Sequence, residues 1–459
     1  MGKPSAWGSE EAEWAFNKET FLLLREKIMM STKLLNIAKK AKQNPKMEFT
    51  SIAHLLTPEF LLETWKQMNK KACAGVDKET VKQFSLGLTE RLKDVSNRIL
   101  TGKYRAPMVR RVEIPKVDGK TRPLGIPTVE DRLVQRAVAR ILEAIYEQDF
   151  LECSYGYRPN RNPHMALKGL ATSICKGKVS FVYETDIKGY FNTINHQWLR
   201  KMVKHRIKDP LINRLISKWL KAGVMDKGVV ARPEAGTPQG GPISPILANL
   251  YLHYVLDLWF EKRLKGQLKG EAFLHRFVDD FVICIQYECD LNKIVQAVPI
   301  RLKEFALTLA ENKTRKLSFG KYARERAKMF SQKLEEFEFL GFRHICGISA
   351  KTGGFALIRI PAQKSCRKFI DNTKAWLRKH IHWKRRDQQK HLTIMLNGFY
   401  QYFGLKHCEN KLNWVYNEVK HQWIRVLKMQ SQRHRIYWSY LMKSRWFWLP
   451  QAKVIHPNI

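Results

Sequence analysis

Acidic residues are scarce in this chain: 42 Asp and Glu stand against 82 Lys and Arg in 459 residues, a formal charge of +40. A charge of that size repels itself and calls for a polyanionic partner, with nucleic acid ahead of a membrane surface. Long apolar runs are missing as well. No stretch approaches the roughly 18 consecutive apolar residues of a spanning helix. The opening MGKPSAWGSEEAEWAF lacks the apolar core of a secretory signal, and Ala6 stands where a myristoylation motif wants Ser or Thr. The eight cysteines are scattered, with no C-x-x-C, and His275, Cys284 and Cys289 follow no common zinc spacing. These absences argue against a membrane-spanning protein, a disulfide scaffold and a structural zinc module. A bacterial cytoplasmic location with free thiols is the expectation.

Apolar residues make up 44% of the chain, enough for a sizeable core, and the length suggests about three domains or subdomains. RRVEIPKVDGKTRPLGIP (110–127) alternates around an Asp-Gly step and predicts a hairpin. EDRLVQRAVARILEAIYEQDF (130–150) has helical periodicity, and VSFVYETDIKGYF (179–191) predicts a strand ending near Asp186. Ser244-Pro245 is expected to cap and open a helix over 242–264. Another helix is expected over 290–306. The end of the chain differs: residues 363–459 carry 20 Lys and Arg against 4 Asp and Glu, with seven of the 13 Trp. Leu412, Val415, Val419, Trp423 and Val426 keep a helical period there, so a basic helical bundle is predicted. Arg378, Lys379, Arg385 and Arg386 would lie on its outside as a cradle for a phosphate backbone, although such a run also reads as a solvated face.

The short stretch RFVDDFVI sets Asp279 beside Asp280, where like charges repel. Alone this reads as a polar turn. If its strands neighbour the one ending at Asp186, three carboxylates converge, and hard divalent cations would hold them together. Few histidines and many carboxylates favour Mg²⁺. Two such ions (Mn²⁺ being a permissible substitute) suit phosphoryl transfer, which needs positioning and charge neutralisation above all. Other stretches fit. Gly240 and Gly241 in TPQGGPISP allow close backbone approach, with Gln239 as a neutral amide beside them. Lys116 and Arg122 stand across the predicted hairpin, placed to grip a triphosphate, and Phe191 could sit under a nucleotide sugar. Each also reads blandly, as a turn glycine, a surface cation or a core aromatic.

Taken in order, AGVDKET, SYGYRP, DIKGYFNTINH, GTPQGGPISPILANLYLHYVLD, RFVDDFVI, ENKT and FLGF closely resemble bacterial group II intron reverse transcriptases, or maturases. The resemblance implies an α+β right-hand polymerase. Its parts would be a helical N-terminal extension (1–70), fingers and palm (71–345) and a helical thumb or maturase X domain (346–459). It further implies RNA-directed DNA synthesis, with Asp186, Asp279, Asp280 and the Ile187 backbone as metal ligands and Lys313 near the departing pyrophosphate. The implied partners are an RNA template, an RNA or DNA primer, an intron RNA and DNA, acting on a monomer or homodimer without a membrane. The chain departs from the usual Tyr-Ala-Asp-Asp at Phe277 and Val278, which are expected to neighbour the primer end. A branched residue there also occurs in group II-like enzymes with host roles in DNA repair, the alternative reading.

Overall fold

The computed structural model describes residues 32–115, 121–222, 224–226, 229–231, 236, 240–350, 352–430, 443 and 448–457. Helix and sheet are mixed, as an α+β chain requires. Two compact units form, and neither is continuous. One comprises residues 32–162 with Val182–Lys316; the other comprises Pro163–Phe181 with the chain from Leu317 onward.

In the first unit the organising element is the helix Val129–Tyr146. Thr128 caps it by accepting from the Asp131 amide, and Glu130 and Asp131 suit the positive end of its dipole. Most of its side chains are buried, Asp131 among them. That carboxylate accepts from Tyr104 Oη, Trp219 Nε1 and Gln135 Nε2, each at 2.8 Å. Asp209 plays a similar part. It caps the helix Pro210–Lys221 and also accepts from the amides of Ile52 and Ala53. Strand β1 (Val109–Pro115) pairs antiparallel with β2 (Thr121–Ile126), the predicted hairpin. With β4 (Val224–Asp226) and β5 (Val229–Ala231) they form a sheet in the order β2-β1-β4-β5.

A second sheet has the order β6-β7-β3-β8. Strand β3 runs from Phe181 to Asp186, β6 from Ala272 to Phe277, β7 from Asp280 to Ile285, and β8 from Arg315 to Ser318. Strand β3 therefore ends where the alternation placed it. The turn needs a correction. Its two residues are Val278 and Asp279, while Asp280 already pairs with Phe277 as the first residue of β7. Ser244 is not a cap either. The helix Ser244–Leu252 begins behind a backbone turn in which the Ser244 amide bonds the Gly241 carbonyl, and Ser244 itself is buried. It continues through π-helical turns at His253–Asp257 and Phe260–Leu264.

The other unit packs helices Gln363–Lys379, Arg385–Phe403 and Glu409–Met429 with a sheet of order β11-β10-β9. These strands are β9 (Glu336–Phe339), β10 (Phe342–Ile348) and β11 (Phe355–Pro361). Leu412, Val415, Val419, Trp423 and Val426 are all buried, so the helical period did mark a core face. Trp423 Nε1 donates to Gln388 Oε1, which keeps this buried indole satisfied. Among the described residues no helix is long and apolar enough to cross a membrane.

His344 in β10 is fully buried and stacks on Phe337 at 4.6 Å between centroids. Burial, then the Arg359 charge, pushes its imidazole down to about 3 from 6.5. A lowered folded value means that the unfolded chain takes up a proton first, so acid works against this unit from pH 6.5 downward. Relative to the parent, His344→Phe is therefore expected to gain about 2 kcal/mol of stability between pH 7 and pH 5. Denaturant unfolding of both proteins at the two pH values checks this; an unchanged difference would mean that His344 ionises freely in the fold.

Candidate active site

Asp186 closes β3, and β7 lies next to β3 in the sheet, so Asp279 and Asp280 come to the same end of it. The carboxylates feel one another. Asp280 is half-buried; burial first, then the charges of Asp186, Asp279 and Glu184, push its carboxyl up to about 8. Lys313, in the short turn Glu311–Lys313, donates to Asp186 Oδ2, and this bond raises the ammonium's own pKa. The turn is held from both sides. Thr185 and Thr314 hydroxyls lie 3.0 Å apart, and Arg315 Nε donates to Glu184 at 2.9 Å.

Ile187 is buried and forms an isolated bridge with Leu309. The bridge's bonds run from Lys188 N to Thr308 O and from Ala310 N to Asp186 O, which leaves the Ile187 carbonyl out of the pairing. Among the described residues no three acidic, histidine or cysteine side chains stand close enough to chelate one ion as they are. Like charges spread apart, and the lysine takes one oxygen of Asp186. The donor set nevertheless fits a hard divalent cation. All its members are oxygens, three carboxylates and the Ile187 carbonyl, and a cation would relieve the burial and neighbouring negative charge that raise the Asp280 carboxyl.

Phe191 sits in the turn Tyr190–Thr193, half-buried, with its ring 5.5 Å from that of Tyr190. Tyr190 is buried and donates to the Ala248 carbonyl. Gly236, at φ +92°, lies against the Phe191–Asn192 backbone, and a Cβ there would come within 2.9 Å of the Phe191 carbonyl. Gly240, at φ +113°, lies against β2, where a Cβ would meet the Gly125 carbonyl at 2.5 Å. The glycines of this motif thus serve close backbone approach at both ends. Gly241 is confined by Gln135, the same residue that Asp131 holds. Gln239 and Lys116 lie outside the described residues. Arg122 stands opposite Ile114 in β2, and its side chain is also outside them.

Val278 is buried, and a Cβ on Gly156 would lie 2.5 Å from Val278 Cγ2. Its φ is +63°, the left-handed region that a β-branched residue avoids. Such strain, of order 1–3 kcal/mol, persists only where surroundings over-determine the backbone. Phe277, half-buried, flanks the same turn. Sequence reasoning passed over what holds this turn: Arg276, Asp257, Asn249 and Gly156. All four lie inside quoted motifs, but the contacts join different motifs, 19 to 122 residues apart, and no local pattern signals them.

With an acidic sheet end, a lysine on its first aspartate and glycine-built turns around it, comparison with known proteins is decisive. Residues 114–344 match the family model described as reverse transcriptase (RNA-dependent DNA polymerase). The chain belongs to the reverse transcriptase family. Protein YkfC of Escherichia coli is 35% identical over 52% of this chain and 64% of its own length. The group II intron-encoded protein LtrA of Lactococcus lactis is 29% identical over 88% of this chain and 78% of its own. An uncharacterised 91 kDa protein in a cob intron of Schizosaccharomyces pombe is 34% identical, over 47% of this chain and 27% of its own. The chain thus spans under two thirds of YkfC. Within the family it is group II intron-like.

The basic cluster belongs to the other unit. Arg378 and Lys379 end the helix Gln363–Lys379, and Arg385 and Arg386 open the next. Three of the four are exposed and Arg385 is half-buried. In the same two helices and their connection, Trp376 stacks on His391 at 3.8 Å and on His380 at 4.6 Å.

Proposed function

We propose that this reverse transcriptase extends a DNA or RNA primer on an RNA template by two-metal phosphoryl transfer, and that it also binds and helps splice a group II intron RNA. The observation that carries the metal reading is that the strand order brings Asp186, Asp279 and Asp280 to one end of the same sheet. Asp186, Asp279 and Asp280, with the Ile187 carbonyl, would hold Mg²⁺ or Mn²⁺. Two such ions when bound would supply the charge that activates a 3′-hydroxyl and stabilises leaving pyrophosphate. Lys313, kept protonated beside Asp186, would move to the pyrophosphate as metal takes over the carboxylate. Lys116, Arg122 and Gln239 would grip the incoming triphosphate and base, and Phe191 would exclude a 2′-hydroxyl.

A right-hand arrangement with fingers and palm over 71–345 and a thumb or X domain over 346–459 belongs to the same reading. So does a bacterial cytoplasmic setting, with DNA, RNA or a second copy of the chain as partner. The similarity to LtrA over most of this chain supports the intron half. Val278, where the family usually has Ala, favours a second reading: a host role in DNA repair or end joining.

The test is extension of a primed RNA template with deoxyribonucleotides. Activity is expected with Mg²⁺ and none after chelation, and Phe191→Ala is expected to incorporate ribonucleotides at least about tenfold better. Extension that survives chelation would end the metal reading. An unchanged sugar preference would return Phe191 to the core. Self-splicing of a group II intron RNA stimulated by the protein supports the maturase; efficient joining of DNA ends paired over a few bases, without such stimulation, supports the repair role.

A further inference from the structure

Arg276 ends two residues before the turn and is fully buried, as is Asp257. Its guanidinium has five N–H donors, and all five are used. Nε and one Nη2 hydrogen go to Asp257, at 2.7 and 2.5 Å. The other Nη2 hydrogen goes to Ser154 Oγ at 2.7 Å. The Nη1 hydrogens go to Asn249 Oδ1 at 3.2 Å and to the Val278 carbonyl at 2.9 Å. Backbone bonds run in parallel: Arg276 N donates to Cys153 O, and Tyr155 N donates to Arg276 O. Asn249 Nδ2 closes the ring on the Gly156 carbonyl at 2.6 Å. Gly156, in turn, is the residue against which Val278 is packed.

A buried ion pair adds little stability over apolar residues of the same size, so its presence points to specificity. Here one donor of the pair is spent on the carbonyl of the strained residue that precedes Asp279. The carboxylate partner comes from the π-helical turn His253–Asp257, a distortion that often marks functional positions. We propose that Arg276 is a positioning residue. With Asp257, Asn249, Ser154 and Gly156 it locks Val278 in the left-handed conformation and so fixes where Asp279 and Asp280 present their oxygens. Lysine, with three donors and no fork, cannot bridge these five acceptors.

The inference rests on the metal reading above, and the experiment separates the two. Mn²⁺ binding to the protein alone, followed by electron paramagnetic resonance, is compared for the parent, Arg276→Lys, and the double variant Arg276→Met with Asp257→Leu. The double variant replaces the pair by apolar bulk, which keeps packing without the bond to Val278. Both variants are expected to bind Mn²⁺ at least tenfold more weakly and to lose about 100-fold in kcat, with the KM for template-primer and the melting temperature of the double variant close to the parent's. Parent-like Mn²⁺ affinity and kcat in either folded variant would overturn the proposal, as would a kcat loss that simply tracked a fall in melting temperature. A parent that binds no Mn²⁺ would instead overturn the metal reading. Amide exchange on the unaltered protein gives a check independent of any variant. The Asp280 amide, which pairs with Phe277, should be protected as well as those of β6 and β7, and loop-like exchange there would overturn the proposal too.

Discussion

Asp280→Asn is expected to abolish primer extension, by about a thousandfold or more, while RNA affinity stays within about twofold of the parent. Asparagine keeps the volume and removes the charge, so the loss isolates the carboxylate's electrostatic role. RNA binding rests on cations spread over the surface and has no reason to change. The same substitution is expected to hold or raise the melting temperature in the absence of divalent ions. Asp280 has its folded pKa raised from 3.8 to about 8, so its ionisation weakens the fold as pH rises through that window. Asparagine is neutral throughout. A variant that is inactive yet at least as stable as its parent is the signature of a site assembled against stability for chemistry. Near-normal extension by the variant would refute the metal assignment, and a large fall in melting temperature would refute the raised Asp280 carboxyl.

Reversing the charges of Arg378, Lys379, Arg385 and Arg386 to Glu should weaken RNA binding at least 100-fold near 0.1 M salt. Each phosphate neutralised releases close to one counterion, so the parent's log–log salt slope is expected at about −5 or steeper, and the variant's flatter by about 3. These side chains stand at helix ends and none is fully buried, so the fold should survive the change. Filter binding across a salt series reads both numbers. A shallow slope in the parent, or the same slope in both, would leave this cluster a solvated face.

How legible the molecule was in its sequence depended on the range of the contacts involved. Strand β3 ending at Asp186, the hairpin of β1 and β2 and the buried face of Leu412, Val415, Val419 and Trp423 follow periods of two and 3.6 and were readable. Ser244 was misread because a serine before proline resembles a cap, whereas a buried backbone turn from Gly241 starts this helix. The Asp279-Asp280 pair does come to the sheet end where Asp186 lies, but its turn was placed one residue late. A left-handed valine breaks the preference of such turns for Gly and Asn, so no local rule points to it. Arg276 was invisible as a functional residue because its partners come from 154, 249 and 257, and only the fold brings them together.

The division of the chain into two interleaved units bears on how it is made. Residues 163–181 belong with the chain beyond 316, yet 135 residues of the other unit are synthesised between them. At about 5–20 residues per second, this segment leaves the ribosome roughly 7 to 27 s before its unit can begin to close. Throughout that interval Ala166, Leu167, Leu170 and Ile174, all buried in the finished protein, lack the larger part of their own unit. The unit that holds Asp186, Asp279 and Asp280, by contrast, is fully synthesised once Lys316 has emerged. Nascent chains are thus exposed to misassembly late in synthesis, and a gene cut after residue 316 would yield a product carrying this apolar helix without the rest of its unit.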